Sequence, residues 1–124
     1  MVTHIQDTIY TILCEILDIE KEDIHPESYL IKELNAESID LLELAVSINQ
    51  AFNITVNEDD IFLRKLRIFL DTDPENNPQK RLQEKYPFLS SDRINQICND
   101  LEEGPVLKVK DLIHYVICQL PSRV

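Results

Sequence analysis

The chain has 124 residues, of which 44% are hydrophobic and 28% are charged, and it carries a net charge of −11 at neutral pH. This length and apolar content predict one folded domain over residues 1–124. Residues 1–60 hold 14 acids against two lysines, so the acidity is concentrated in that half. An acidic half argues against direct nucleic-acid binding and favours partners with basic patches, although the same acids could simply keep a small protein in solution.

Two kinds of segment are not expected from the sequence. No run of about 18 apolar residues is found, so a transmembrane span is not predicted. A basic segment followed by an apolar stretch is not found near Met1, so a signal peptide is not expected.

Cys14, Cys98 and Cys118 are odd in number and far apart, a spacing that predicts no metal site. Cys14 and Cys118 fall within apolar helical patterns, so buried free thiols in a reducing cytoplasm are expected.

The first 36 residues predict one helix followed by a long connection. Apolar residues recur at helical spacing over residues 3–17, at Ile5, Ile9, Ile12, Leu13 and Ile16. Pro26 then blocks a continuous helix over residues 18–36. Apolar anchors in and beside this connection are expected to hold it against the helices, namely Leu17, Ile19, Ile24, Leu30 and Leu34.

Residues 35–52 form the stretch around which the rest of the chain is organised. A helix is predicted to begin near Ser38 and to bury a stripe with helical spacing, made of Leu41, Leu44, Ala45, Ile48 and Phe52. Ile39, Leu42 and Val46 lie off that stripe, so they are expected to leave an apolar surface beside the serine. Acids collect along the same flank, at Glu37, Asp40 and Glu43.

Ser38 has two interpretations from its position alone. A serine at a helix start is commonly an N-cap that accepts an amide hydrogen bond, and acids in a first turn suit the positive end of the helix dipole. A serine in that position is also well placed to carry a phosphate group, because a helix N-terminus favours an attached anion.

The remainder of the chain predicts further helices joined by loops. Asn57 is a candidate N-cap for a helix that continues through Ile61, Phe62, Leu66, Phe69 and Leu70. A short helix follows over residues 80–86, and a further helix capped by Ser90 or Ser91 runs to Leu101. Gly104 is placed after that helix, with Pro105 behind it. The last helix is predicted over residues 109–120, so the fold class is all-α.

The frame around Ser38 resembles the prosthetic-group site of acyl carrier proteins. Glu37-Ser38-Ile39 stands where that family has Asp-Ser-Leu. Leu30, Leu34, Asn35 and Ala36 precede the motif, and Phe52-Asn53-Ile54 closes the helix, as in the family pattern but with Asn for Gly at both turns. Asn is among the non-glycine residues that best tolerate positive φ, so both exchanges are compatible with the same backbone.

The resemblance covers residues 3–60 and 106–120, and it implies a four-helix bundle of the acyl-carrier-protein type. Residues 61–105 fall outside the pattern and are predicted to be a helical insertion, with extra helices between the third and last helices of the family.

The resemblance also implies a function without catalysis by the chain itself. A phosphopantetheinyl transferase would attach 4′-phosphopantetheine to Ser38, and an acyl group would be held on it as a thioester for enzymes of lipid or related acyl metabolism, such as fatty acid biosynthesis. Glu37, Asp40 and Glu43 would face basic patches on those enzymes, while Ile39, Leu42 and Val46 would supply apolar contacts. A cytoplasmic monomer is expected.

Three alternatives stay open at this point. The chain could be an unmodified carrier-like adaptor, or an unrelated acidic helical interaction domain in which Ser38 is only a cap. A hydrolase using Ser38 with His25 or His114 is disfavoured, because the sequence has no Gly-x-Ser-x-Gly turn.

Overall fold

The computed structural model of the chain describes residues 2–71, 78–100 and 106–120, and within these ranges the secondary structure is helical. The elements are α1 (Val2–Leu17), α2 (Ser38–Phe52), α3 (Glu58–Ile61), α4 (Leu66–Asp71), α5 (Pro78–Lys85), α6 (Ser91–Asp100) and α7 (Val109–Gln119). One turn of 3₁₀ helix lies between α1 and α2, at Lys21–Asp23. Within these ranges, no helix combines the length and the hydrophobicity that a membrane span requires.

Helices α1, α2, α3 and α7 form the central bundle. Helix α1 packs against both α2 and α7, and α3 packs against α7. The stripe predicted for α2 is confirmed, because Leu41, Leu44, Ala45 and Ile48 are all buried. Helices α4, α5 and α6 pack in series, each against the next. The predicted fold, an all-α carrier-type bundle enlarged by extra helices between the third and the last, is therefore confirmed.

The extra helices share the core of the bundle. A row of aromatic rings leads from α4 to α7, with centroid distances of 5.7 Å from Phe69 to Tyr86, 6.0 Å from Tyr86 to Phe88 and 5.3 Å from Phe88 to Tyr115. Tyr86 is fully buried, and burial raises the pKa of its hydroxyl to about 12. The division into one domain, 1–124, with an insertion at 61–105 stays a prediction.

The helix predicted to run from Asn57 to Leu70 is interrupted, which corrects that prediction. Helix α3 ends in a Schellman-type turn in which Leu63 adopts a φ of 54°. The N–H of Leu63 donates to the Asp60 carbonyl at 3.3 Å, and the N–H of Arg64 donates to the Asp59 carbonyl at 3.0 Å. No Gly or Asn stands in this turn, so no residue type in it indicates that the helix stops.

Several smaller expectations also have an outcome. Asn57 caps α3 by accepting the Asp60 N–H at 3.1 Å, and Ser90 caps α6 by accepting the Arg93 N–H at 3.1 Å, so both predicted caps are confirmed. Cys118 is exposed and Cys14 only half-buried, so the prediction of two buried thiols is wrong. Burial still raises the pKa of the Cys14 thiol. Leu101, Gly104 and Pro105 lie outside the described residues.

Candidate functional site

The turn before α2 determines where Ser38 lies. Asn35 has a φ of 61°, as expected for a residue in the position where the family has glycine. The N–H of Ala36 donates to the Leu30 carbonyl at 3.1 Å, and Ala36 is buried. Glu37 is extended, with φ −103° and ψ 171°, and acts as the N-cap residue. The chain therefore enters α2 with Ser38 as its first helical residue.

Ser38 does not cap the helix, because Glu37 occupies that position. At this end of the helix the carboxylate of Asp40, in the first turn, accepts the N–H of Glu37 at 2.9 Å. The Ser38 side chain is exposed, and its hydroxyl has no hydrogen-bond partner among the residues that the structure describes. The interpretation of Ser38 as a simple cap is not supported by this geometry.

The exposed hydroxyl fits a covalently attached phosphodiester group. Esterification of Ser38 would break no hydrogen bond within the described residues and would place no bulk in the core. The first backbone N–H groups of α2 have no partners within the helix, so the helix end favours an anion there. Helix α2 has 15 residues, which is long enough for an appreciable dipole.

An apolar surface lies next to Ser38. The exposed fractions of Ile39, Leu42 and Val46 are 63%, 52% and 51%, which is unusual for aliphatic side chains so close together. Leu42 and Val46 border a shallow cavity of about 190 Å³ whose other wall includes Val56 and Glu58. The three aliphatic residues expected to stay reachable thus share one face of α2.

The acids predicted beside Ser38 do not have identical surroundings. Glu37 and Glu43 are exposed, whereas Asp40 is half-buried and binds the N–H of Glu37. Further along α2, the Asn49 side chain donates to the Ile54 carbonyl and helps to close the turn at Asn53, whose φ is 54°. Negative charge is therefore concentrated at the serine end of α2.

A second group of residues, not singled out by the sequence, holds the long connection in place. The Lys108 and Lys110 ammonium groups lie 2.9 and 2.6 Å from the Glu27 carboxylate. These hydrogen bonds lower the pKa of Glu27 to about 2. Next to them the N–H of Leu30 donates to the Leu107 carbonyl, and the N–H of Val109 donates to the Ser28 carbonyl, both at 3.0 Å. The connection that leads to Ser38 is therefore fastened to the start of α7.

Comparison with known proteins relates this site to a family. The model of the family described as "Phosphopantetheine attachment site" matches residues 7–66. The acyl carrier protein of Chlamydia trachomatis is 34% identical over 56 residues, which cover 45% of this chain and 73% of that protein. The acyl carrier protein of Nitratidesulfovibrio vulgaris is 30% identical over 56 residues, covering 45% and 74%.

A more distant relative covers slightly more of the chain. The acyl carrier protein of Cyanophora paradoxa is 29% identical over 68 residues, which cover 54% of this chain and 66% of that protein. No solved structure matches the chain.

Proposed function

This chain belongs to the acyl carrier protein family, and from that premise we propose that Ser38 is the residue to which 4′-phosphopantetheine is attached. Members of this family bear that group covalently and are carriers rather than catalysts. The bound group would supply a terminal thiol that holds an acyl group as a thioester. The observation that carries this proposal is the position of Ser38 inside the matched range, as an exposed first residue of α2 whose hydroxyl is not engaged within the described part of the chain.

The chain's own contribution is to present Ser38 on a rigid support. The buried face of α2 packs against α1, so the exposed serine end is held by the core rather than by a loop. The connection before α2 is fastened to α7 through Glu27 and the backbone of Leu30. A phosphopantetheinyl transferase therefore meets a fixed surface around Ser38, and docking orders little of the chain.

The partner surface is proposed to combine charge and apolar contact. Glu37, Asp40 and Glu43 would attract basic patches on the transferase and on enzymes that transfer or modify the acyl group. The exposed side chains of Ile39, Leu42 and Val46 would be covered on docking and would contribute more to residence time than to encounter rate. We place these enzymes in acyl metabolism such as fatty acid biosynthesis and propose that the chain works as a monomer. The three unpaired cysteines favour a reducing compartment such as the cytoplasm.

The test is an intact-mass measurement. The purified chain is incubated with coenzyme A, magnesium and a promiscuous phosphopantetheinyl transferase, and we expect a gain of one phosphopantetheine moiety. Ser38→Ala should gain nothing, whereas Ser47→Ala, which removes another α2 hydroxyl, should be modified normally. No gain by the unaltered chain, repeated with transferases from the source organism, would overturn the carrier proposal and favour the adaptor alternative.

A further inference from the structure

A cavity separate from the Ser38 surface lies where three segments meet. Its volume is about 330 Å³, and its walls come from the connection before α2, the turn between α3 and α4, and the residues that lead into α7. The apolar part of the wall is formed by Ile31, Phe62, Leu63, Leu66, Val106 and Leu107. Since α2 contributes no lining residue, this cavity is distinct from the partner surface proposed above.

The size of the cavity suits a medium-length aliphatic chain. Ligand pockets in proteins commonly begin at about 300 Å³. A dry apolar cavity of about 150 Å³ is enough to bind benzene, so a cavity of twice that volume accommodates roughly ten carbons.

Two arginines give one side of the cavity a positive charge. Arg64 and Arg67 both line it, and no acidic side chain does so among the described residues. The Arg64 guanidinium lies 5.6 Å from the centre of the Phe62 ring, which holds it close to the apolar wall. Its contact with Glu58 is long, at 3.9 Å, and both side chains are about 40% exposed, so this ion pair is weak. A carboxylate could therefore pair with Arg64 at little cost.

The backbone of the wall is strained at one position. Leu63 is buried and adopts a φ of 54°, where a leucine Cβ is crowded and a glycine would not be. Backbone strain of this kind is concentrated at ligand-binding and functional sites. Here it brings the Leu63 side chain into the cavity wall and directs the chain onward to Arg64 and Arg67.

We propose that this cavity binds a medium-chain carboxylate, with the aliphatic chain against the apolar walls and the carboxylate paired with Arg64, beside the positive charge that Arg67 adds to the lining. A guanidinium is suited to this role because its planar donors match a carboxylate. A free fatty acid has this chemistry, and so does an acyl group on the carrier arm whose far end bears a carboxylate. The site itself does not depend on modification of Ser38.

The first experiment uses Ser38→Ala, which cannot bear the arm, and titrates it with free fatty acids in a calorimeter. We expect one decanoate to bind per chain, and to bind more tightly than decanol. Affinity should rise about fourfold for each methylene from hexanoate to decanoate, and chains longer than about 12 carbons should gain nothing further because the cavity is filled. Equal affinity for decanoate and decanol, or no binding of either, would overturn the proposal whatever the outcome at Ser38.

The second experiment separates charge from volume. Arg64→Gln with Arg67→Gln should weaken decanoate binding about tenfold and leave decanol binding unchanged. Lys80→Gln with Lys85→Gln removes the same charge from α5, where neither side chain lines the cavity, and should change neither affinity. Ile31→Trp should abolish binding of both ligands by filling the cavity, with helical circular dichroism as the check of folding. Retention of decanoate affinity in the arginine double variant would contradict the assignment.

A competition measurement distinguishes the two sources of the carboxylate. The phosphopantetheinylated chain is loaded with decanedioyl or decanoyl groups and then titrated with decanoate. If decanedioyl on the arm blocks decanoate and decanoyl does so less, the tethered source uses this site. If neither blocks it while decanoate still binds, the site serves a free carboxylate.

Discussion

Arg93 on α6 and Asp111 on α7 form a bidentate ion pair inside the protein, with Nε–Oδ1 and Nη2–Oδ2 distances of 2.8 Å. Their side chains are 1% and 0% exposed. Asp111 also accepts the N–H of Lys108 at 2.9 Å, and Arg93 donates to the Val106 carbonyl. One buried contact thus joins the last extra helix to the start of the closing helix of the bundle.

Removing one partner of this pair should be strongly destabilising. We expect Arg93→Met to lower the free energy of unfolding by about 3–5 kcal/mol, because Asp111 is left charged, buried and unpaired. Adding Asp111→Asn should recover part of the loss, since an amide oxygen can still accept the Lys108 N–H without a buried charge. Urea unfolding measures both. Arg64→Met, which breaks an exposed contact, should lower the free energy of unfolding by less than about 1 kcal/mol. An equal loss for Arg93→Met and Arg64→Met would contradict the stabilising role given to the buried pair.

The surroundings of Ser38 lead to a prediction on stability. Because Ser38 is the first helical residue and not the cap, Ser38→Ala should change the free energy of unfolding by less than about 0.5 kcal/mol. Ser90→Ala, which removes a real cap on α6, should cost about 1 kcal/mol. Thermal unfolding of the two variants gives the comparison, and a cost at Ser38 equal to that at Ser90 would restore the capping interpretation.

The acidic flank of α2 should act mainly on encounter. We expect Glu43→Gln to lower kcat/KM for arm transfer about threefold at low salt, because one steering charge is lost. The difference should disappear near 0.5 M salt, where the Debye length is only a few ångströms. Glu84→Gln removes the same charge from α5 and should leave kcat/KM unchanged. An equal decrease in kcat/KM for Glu84→Gln would mean that the transferase responds only to the net charge of the chain.

Much of the central bundle follows from local patterns, and this explains which features could be predicted. The buried stripe of α2 is a 3.6-residue repeat, and Asn35 and Asn53 are among the few residue types that accept positive φ readily. Leu63 also has positive φ, but a leucine gives no sign of it. Arg93 and Asp111 lie on different helices, and in the sequence each looks like an ordinary surface charge. No local pattern therefore predicts that they form a buried pair. At the site, exposure of Ser38 could be expected, whereas the anchoring of its loop through Glu27 could not.

Asn35, in the turn before α2, and Asn53, at the end of α2, should each tolerate replacement by glycine but not by alanine. Asn35→Ala and Asn53→Ala should each cost about 1 kcal/mol, since Ala is disfavoured at positive φ. Glycine at either position should be neutral or slightly stabilising. Asn95→Ala, in the exposed face of α6, should instead stabilise by a few tenths of a kcal/mol through helix propensity. Chemical denaturation of the five variants tests this, and equal effects of Ala and Gly at Asn35 would contradict the role given to its φ.

The contact of Glu27 with Lys108 and Lys110 should appear as a pH dependence of stability. These hydrogen bonds lower the pKa of Glu27 from 4.5 to about 2 in the folded chain, so between these values the unfolded chain binds more protons. The stabilisation is fully present above about pH 4.5 and is lost as the pH falls towards 2. Because the Glu27 side chain is 60% exposed, solvent screening limits the effect to about 1 kcal/mol or less.

Glu27→Gln should therefore flatten the dependence of the unfolding free energy on pH between about 2 and 4.5. Glu15→Gln, which removes an exposed acid from α1, is the matched control and should leave that part of the curve as it is. Urea unfolding at a series of pH values at low and high salt gives the measurement, and the difference should shrink with salt. Parallel curves of unfolding free energy against pH for Glu27→Gln and the unaltered chain would show that the contact does not persist in solution. If Glu27→Gln also slows arm transfer to Ser38 near neutral pH, the anchored connection helps to position the serine.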